Sequence, residues 1–178
     1  MESEGGAKRR VAIRLPGIIL GVGLGGFFDG ILLHQVLQWH HMFSSIDPTD
    51  TVAGLRMNTL GDGLFHTVTW LAVLIGLGIL YARVAEARRA VWGSSVLWGW
   101  ILFGWGTFNL VEGLVDHQVL GIHHVHYGPH RLAWDLAFLV SGVVLMVLGW
   151  GIQRGGKRNW VRDRGLGGPA ATTQPAHA

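Results

Sequence analysis

Apolar residues run in four long blocks, at about 15–39, 58–82, 90–116 and 131–153, separated by short polar stretches. Within the blocks there is no polar face. Thr69 to Tyr81 reads TWLAVLIGLGILY, whereas a helix packed on a soluble core alternates with a period near 3.6. Each block reaches the ~20 residues that cross a ~30 Å hydrocarbon core as a helix. The pattern predicts an all-α integral membrane protein, a four-transmembrane-helix bundle set in the lipid bilayer. Residues 11–154 form the membrane domain, and the tails 1–10 and 155–178 are expected to be disordered cytoplasmic segments. Asp47-Pro48-Thr49-Asp50 is a turn cluster between the first two blocks, and Gly128-Pro129 marks the boundary before the fourth.

An internal repeat changes this picture from four helices to two pairs. Asp29 to His41 (DGILLHQVLQWHH) aligns without gaps to Glu112 to His124 (EGLVDHQVLGIHH), sharing acidic-Gly-x-x-x-His-Gln-Val-Leu-x-x-His-His. Each copy contains two spans, so both enter the membrane in the same direction. The expected architecture is two tandem parallel helical-hairpin repeats about an axis along the membrane normal. Gly17, Gly21, Gly23, Gly25 and Gly26 form a small-residue stripe for close helix approach.

Charge supplies orientation. Lys8, Arg9, Arg10, Arg14, Arg83, Arg88, Arg89, Arg154, Lys157, Arg158, Arg162 and Arg164 fall on one side of this topology, leaving Arg56 and Arg131 for the other. Cytoplasmic loops are the basic ones, so both termini are expected in the cytoplasm. The first span, although preceded by basic residues, reads as a retained anchor because it is long and lacks a cleavage site. The pI near 10 follows from topology, so no nucleic-acid partner is implied. With no cysteine, disulfides and thiolate ligands are excluded.

Nine of the ten histidines, all but His177, lie on the outer side of this map, and Asp29, Asp62, Glu112, Asp116 and Asp135 lie within the spans at similar depth. A charge in hydrocarbon is costly unless it is paired, protonated or bound to an ion, so such residues mark function. Imidazole with carboxylate and no thiolate suits zinc, iron, manganese or oxidised copper. The primary candidates for a metal site are His34, His66 and His117, with Asp62, Asp29, Glu112 and Asp135 as ligands or supports. Asp62 and His66, four apart, share a helix face. Arg131 and Asp135 have the spacing of an ordinary intrahelical ion pair. Asp116, His40, His41, His123, His124, His126 and His130 are secondary candidates, the last four within an outer loop rich in histidine. The reading is an outward-facing metal site for redox chemistry or metal handling at the periplasmic face, which leaves a metal-dependent membrane oxidoreductase open. Haem held between His34 and His117 is the alternative, followed by a proton- or ion-handling role or an accessory structural subunit. Assembly as a homo-oligomer or with a membrane partner subunit is also left open.

The segments DGILLHQVLQWHH, GDGLFH and NLVEGLVDHQVLGIHHVHYGPH resemble a family of predicted membrane proteins, domain of unknown function 2243, over about residues 15–153. The resemblance implies a bacterial inner-membrane protein of four spans. It implies no activity, substrate or cofactor.

Overall fold

Pro16 sits in the first turn of the first helix, where its missing N–H costs no intrahelical hydrogen bond. The computed structural model describes residues 11–85 and 92–163. The terminal segments 1–10 and 164–178, and Arg88 and Arg89, lie outside the described residues. Four α-helices follow in order: α1 (Arg14–Phe28), α2 (Val52–Ala85), α3 (Ser94–Glu112) and α4 (Arg131–Asp163). α1 runs on into a π-helical segment, Asp29–Val36, and α3 into another, Gly113–Val119. There is no strand among the described residues. α2 begins at Val52, before the apolar run itself, and α4 continues to Asp163, beyond the end of its apolar block.

Arg14–Val36, Val52–Ala85 and Arg131–Val161 are long and apolar enough to cross a membrane. α3 is long but less apolar, because Trp98, Trp100, Trp105 and Asn109 interrupt its aliphatic residues. Its position accounts for the difference. α3 packs against both α1 and α4, and α1 packs against α2. Among the described residues the close backbone contacts run in the order α2–α1–α3–α4, and α2 reaches α3 through Phe65, whose ring centroid lies 6.0 Å from that of Phe108.

The glycine stripe explains this order of contacts, because it faces two ways. A Cβ on Gly21 would collide with the backbone of Ile101 in α3, and one on Gly26 with the Thr69 side chain in α2. The flanking helices turn apolar stripes outward: Leu60, Leu64, Val68, Leu71 and Ile75 on α2, and Leu132, Leu136, Val140, Val143 and Val147 on α4, are all exposed. The buried residues include Asp29, His34, Asn58, Asp62, Asn109, Glu112, His117 and Asp135. Apolar outside and polar within is the distribution expected of a protein solvated by lipid.

Candidate metal centre

The π-helical segments set the first contacts. A π-turn bonds residue i to i+5, and here the Leu37 N–H donates to Leu32 O and the Leu120 N–H to Val115 O, both at 2.8 Å. Residues five apart are thereby brought together. Asp29 Oδ2 lies 3.1 Å from His34 Nε2, and Glu112 Oε1 lies 3.0 Å from His117 Nε2. On a regular α-helix the same residues would point well apart. Each segment ends on a residue with positive φ, Gln38 at 50° and Gly121 at 60°, which turns the chain back over the helix ends. His40 and His123 therefore arrive from the loops that follow the two π-helical segments.

The contacts occur in matching sets. Asp62 accepts from His34 Nδ1 at 2.8 Å, His41 Nδ1 at 2.6 Å, the Met42 N–H at 2.9 Å and Gln35 Nε2 at 3.1 Å. Asp135 accepts from His124 Nδ1 at 2.8 Å and the Val125 N–H at 3.0 Å, with His117 Nδ1 at 3.5 Å. Both carboxylates are occupied by donors, so they orient histidines from behind. Asp135 turns inward and makes no ion pair with exposed Arg131 among the described residues, contrary to the spacing argument.

The loops that follow the two π-helical segments clasp one another. His40 Nδ1 donates to Val125 O at 2.9 Å, and His123 Nδ1 donates to Met42 O at 3.0 Å. A carbonyl only accepts, so each ring carries a proton on Nδ1; His40 Nε2 is left without a hydrogen bond, and His123 Nε2 lies 2.9 Å from Glu112 Oε1. The His40 and His123 rings stack at 4.7 Å and 6°. His34 lies 4.4 Å from the His40 ring, and His117 lies 4.9 Å from the His123 ring. Burial, reinforced by His123 and His34, pushes the His40 pKa down to about 2 and keeps its ring neutral. Asn58 anchors the first loop, accepting from the Phe43 N–H at 2.8 Å and donating to Asp47 O at 2.6 Å.

Donor atoms of His34, His40 and His123 lie within 4.8 Å of one another, as do those of Glu112, His117 and His123. All five side chains are buried. Several of their polar atoms have no properly aligned hydrogen bond: Nε2 of His34 and His40, both ring nitrogens of His117, Oε2 of Glu112 and both oxygens of neighbouring Asp29. Orphaned lone pairs converging in a buried layer are the donor set a cation needs, since each would otherwise carry a desolvation cost.

The remaining sequence candidates divide. His41 and His124 serve Asp62 and Asp135. His66 joins neither donor group; its ring stacks on Phe27, and its Nε2 packs over Gly30. His126 packs between Trp39 and Trp134, His130 is exposed, and half-buried Asp116 enters neither group. What spacing could have shown was the acid–His interval of five, present in both copies. The loop-to-loop carbonyls and Asn58 leave no periodic signal.

No curated protein and no solved structure matches the chain. A family model described as "Predicted membrane protein (DUF2243)" matches residues 16–156, which run from the first turn of α1 to the last turns of α4 and include every residue of the polar layer. The chain belongs to this family of predicted membrane proteins, domain of unknown function 2243.

Proposed function

We propose that this membrane protein holds a transition metal ion in its buried polar layer, with His34, His40, His117 and His123 as imidazole ligands and Glu112 and Asp29 as carboxylate ligands. One observation carries the reading: His40 and His123 have their Nδ1 protons committed to backbone carbonyls, while His40 Nε2 is left unpaired and His123 Nε2 meets the Glu112 carboxylate at 2.9 Å, each within a converging group of donor atoms. Fixing the far nitrogen of a ligand histidine in this way is how proteins set tautomer and ring orientation at a metal. Nitrogen and oxygen donors without sulfur suit zinc, iron, manganese or oxidised copper. When bound, such an ion supplies Lewis-acid or, for a redox-active metal, electron-transfer chemistry.

The residues around it do the rest. Asp62 and Asp135 hold His34 and His117 in place, and the apolar helices exclude water. A cavity of about 260 Å³ lined by Gln38, Trp39, His40, His41, Ser44, Pro48, Thr49 and Tyr127 gives an approach to the His40 side. These features favour a resident centre for redox chemistry, reached from the outer face, over a surface tract that passes metal on. Haem is disfavoured because the stacked His40 and His123 rings stand between His34 and His117.

In the same proposal α3 also spans the membrane, making four spans in all, shielded from lipid by α1 and α4, and the two hairpins are copies of one unit. The basic ends face the cytoplasm. Elemental analysis of protein purified in mild detergent without a histidine tag tests the metal. Stoichiometric metal that is lost in His40→Ala and His123→Ala supports the site. Equal metal in wild type and both variants overturns it, and a Soret band would promote haem.

A further inference from the structure

At the opposite end of the helices, α1, α3 and α4 enclose a second cavity, of about 490 Å³, lined by Ala12, Ile13 and Arg14 together with Trp92, Trp100, Trp150, Gln153, Arg154 and Lys157. Three cations converge there, and no carboxylate lines it among the described residues. Arg14 Cζ lies 5.1 Å and Lys157 Nζ 5.3 Å from the centroid of the same indole, Trp100. Arg154 Cζ lies 4.5 Å from that of Trp150. Cation–π contacts hold each positive group, yet like charges gathered beside one ring repel in a partly dry setting. Gln153 adds an independent sign. It is 2% exposed and its Oε1 has no hydrogen-bond partner. Amide ends exchange by a simple flip, so this buried group can present an N–H into the cavity.

We propose that this cavity binds a phosphate group, that of an anionic phospholipid headgroup seated between the helix ends. Guanidinium forks and an ammonium match phosphate oxygens. Tryptophans are at home at the level of lipid headgroups, and basic pockets between helices take anionic headgroups. The proposal is independent of the metal reading, since no residue is shared.

The test is thermal unfolding of the full chain in mild detergent with added phosphatidylglycerol, phosphatidylcholine or inorganic phosphate. Phosphatidylglycerol is expected to raise Tm saturably and phosphatidylcholine to leave it unchanged. Arg154→Gln and Lys157→Gln should each weaken the phosphatidylglycerol response about tenfold, with Lys157→Arg restoring it, so that loss of charge is separated from loss of packing. An equal, saturable response to inorganic phosphate alone would keep the phosphate site and assign it to a soluble anion. Equal responses to both lipids, or a phosphatidylglycerol response untouched by either glutamine variant, would overturn it.

Discussion

Asp62→Asn is the substitution that most sharply separates an orienting carboxylate from a ligand. In the native arrangement Oδ1 accepts from His34 Nδ1 and the Met42 N–H, and Oδ2 accepts from Gln35 Nε2 and His41 Nδ1. Asparagine keeps the shape but turns one oxygen into a donor. Whichever way the amide settles, two of the four hydrogen bonds are lost and two donors face an NH₂. Hydrogen bonds to a charged group contribute about 1.5–3 kcal/mol each, so the expected destabilisation is about 3–6 kcal/mol. Because Asp62 supports His34 from behind, metal affinity should fall about 10–100-fold, the usual cost of removing such a support. Metal affinity is read by competition with a chelator, and stability by thermal unfolding of the metal-free protein in the same detergent. Unchanged affinity in a folded variant would refute the orienting role. Complete loss of metal at full stability would make Asp62 a ligand.

Four further outcomes follow from the same geometry. His66→Ala should retain metal while His123→Ala loses it, measured by elemental analysis, because His66 packs on Phe27 and His123 belongs to both donor groups. Asp135→Asn should weaken metal affinity about as much as Asp62→Asn, since it accepts the equivalent loop N–H and histidine. Gln38→Gly should raise stability by about 1 kcal/mol, because a side chain at φ 50° is strained; an unchanged or lowered Tm would contradict this. Gly104→Val should cost about 3 kcal/mol or more, since a Cβ there runs into the Ile18 backbone, and undiminished thermal stability would argue against the α1–α3 contact.

The helices were legible because lipid-facing segments are apolar on every side, a signal that does not depend on tertiary context. α3 was the least distinct by that measure, and its place between α1 and α4 explains why it can carry tryptophans and Asn109. The polar layer was legible as a set, since charges at membrane depth stand out against their surroundings. Its internal ranking was not. Spacing on an ideal helix favoured His66 beside Asp62, yet Asp62 turns to the 37–51 loop and His66 to Phe27. His34 with Asp29 and His117 with Glu112 needed a π-turn, and helical periodicity alone assumes α geometry. His40 and His123 needed two loops distant in sequence to exchange backbone hydrogen bonds, and no local pattern reports that pairing.

The central claim, a metal held by imidazoles of the buried layer, is tested most directly by X-ray absorption spectroscopy at the edge of whatever metal copurifies with the untagged protein. The proposal predicts a shell of nitrogen and oxygen neighbours at about 2.0–2.2 Å, with the outer-shell scattering of several imidazoles and no sulfur. That imidazole signature should weaken when His40 or His123 is replaced. A shell of oxygen alone, or a spectrum indifferent to both replacements, would contradict it.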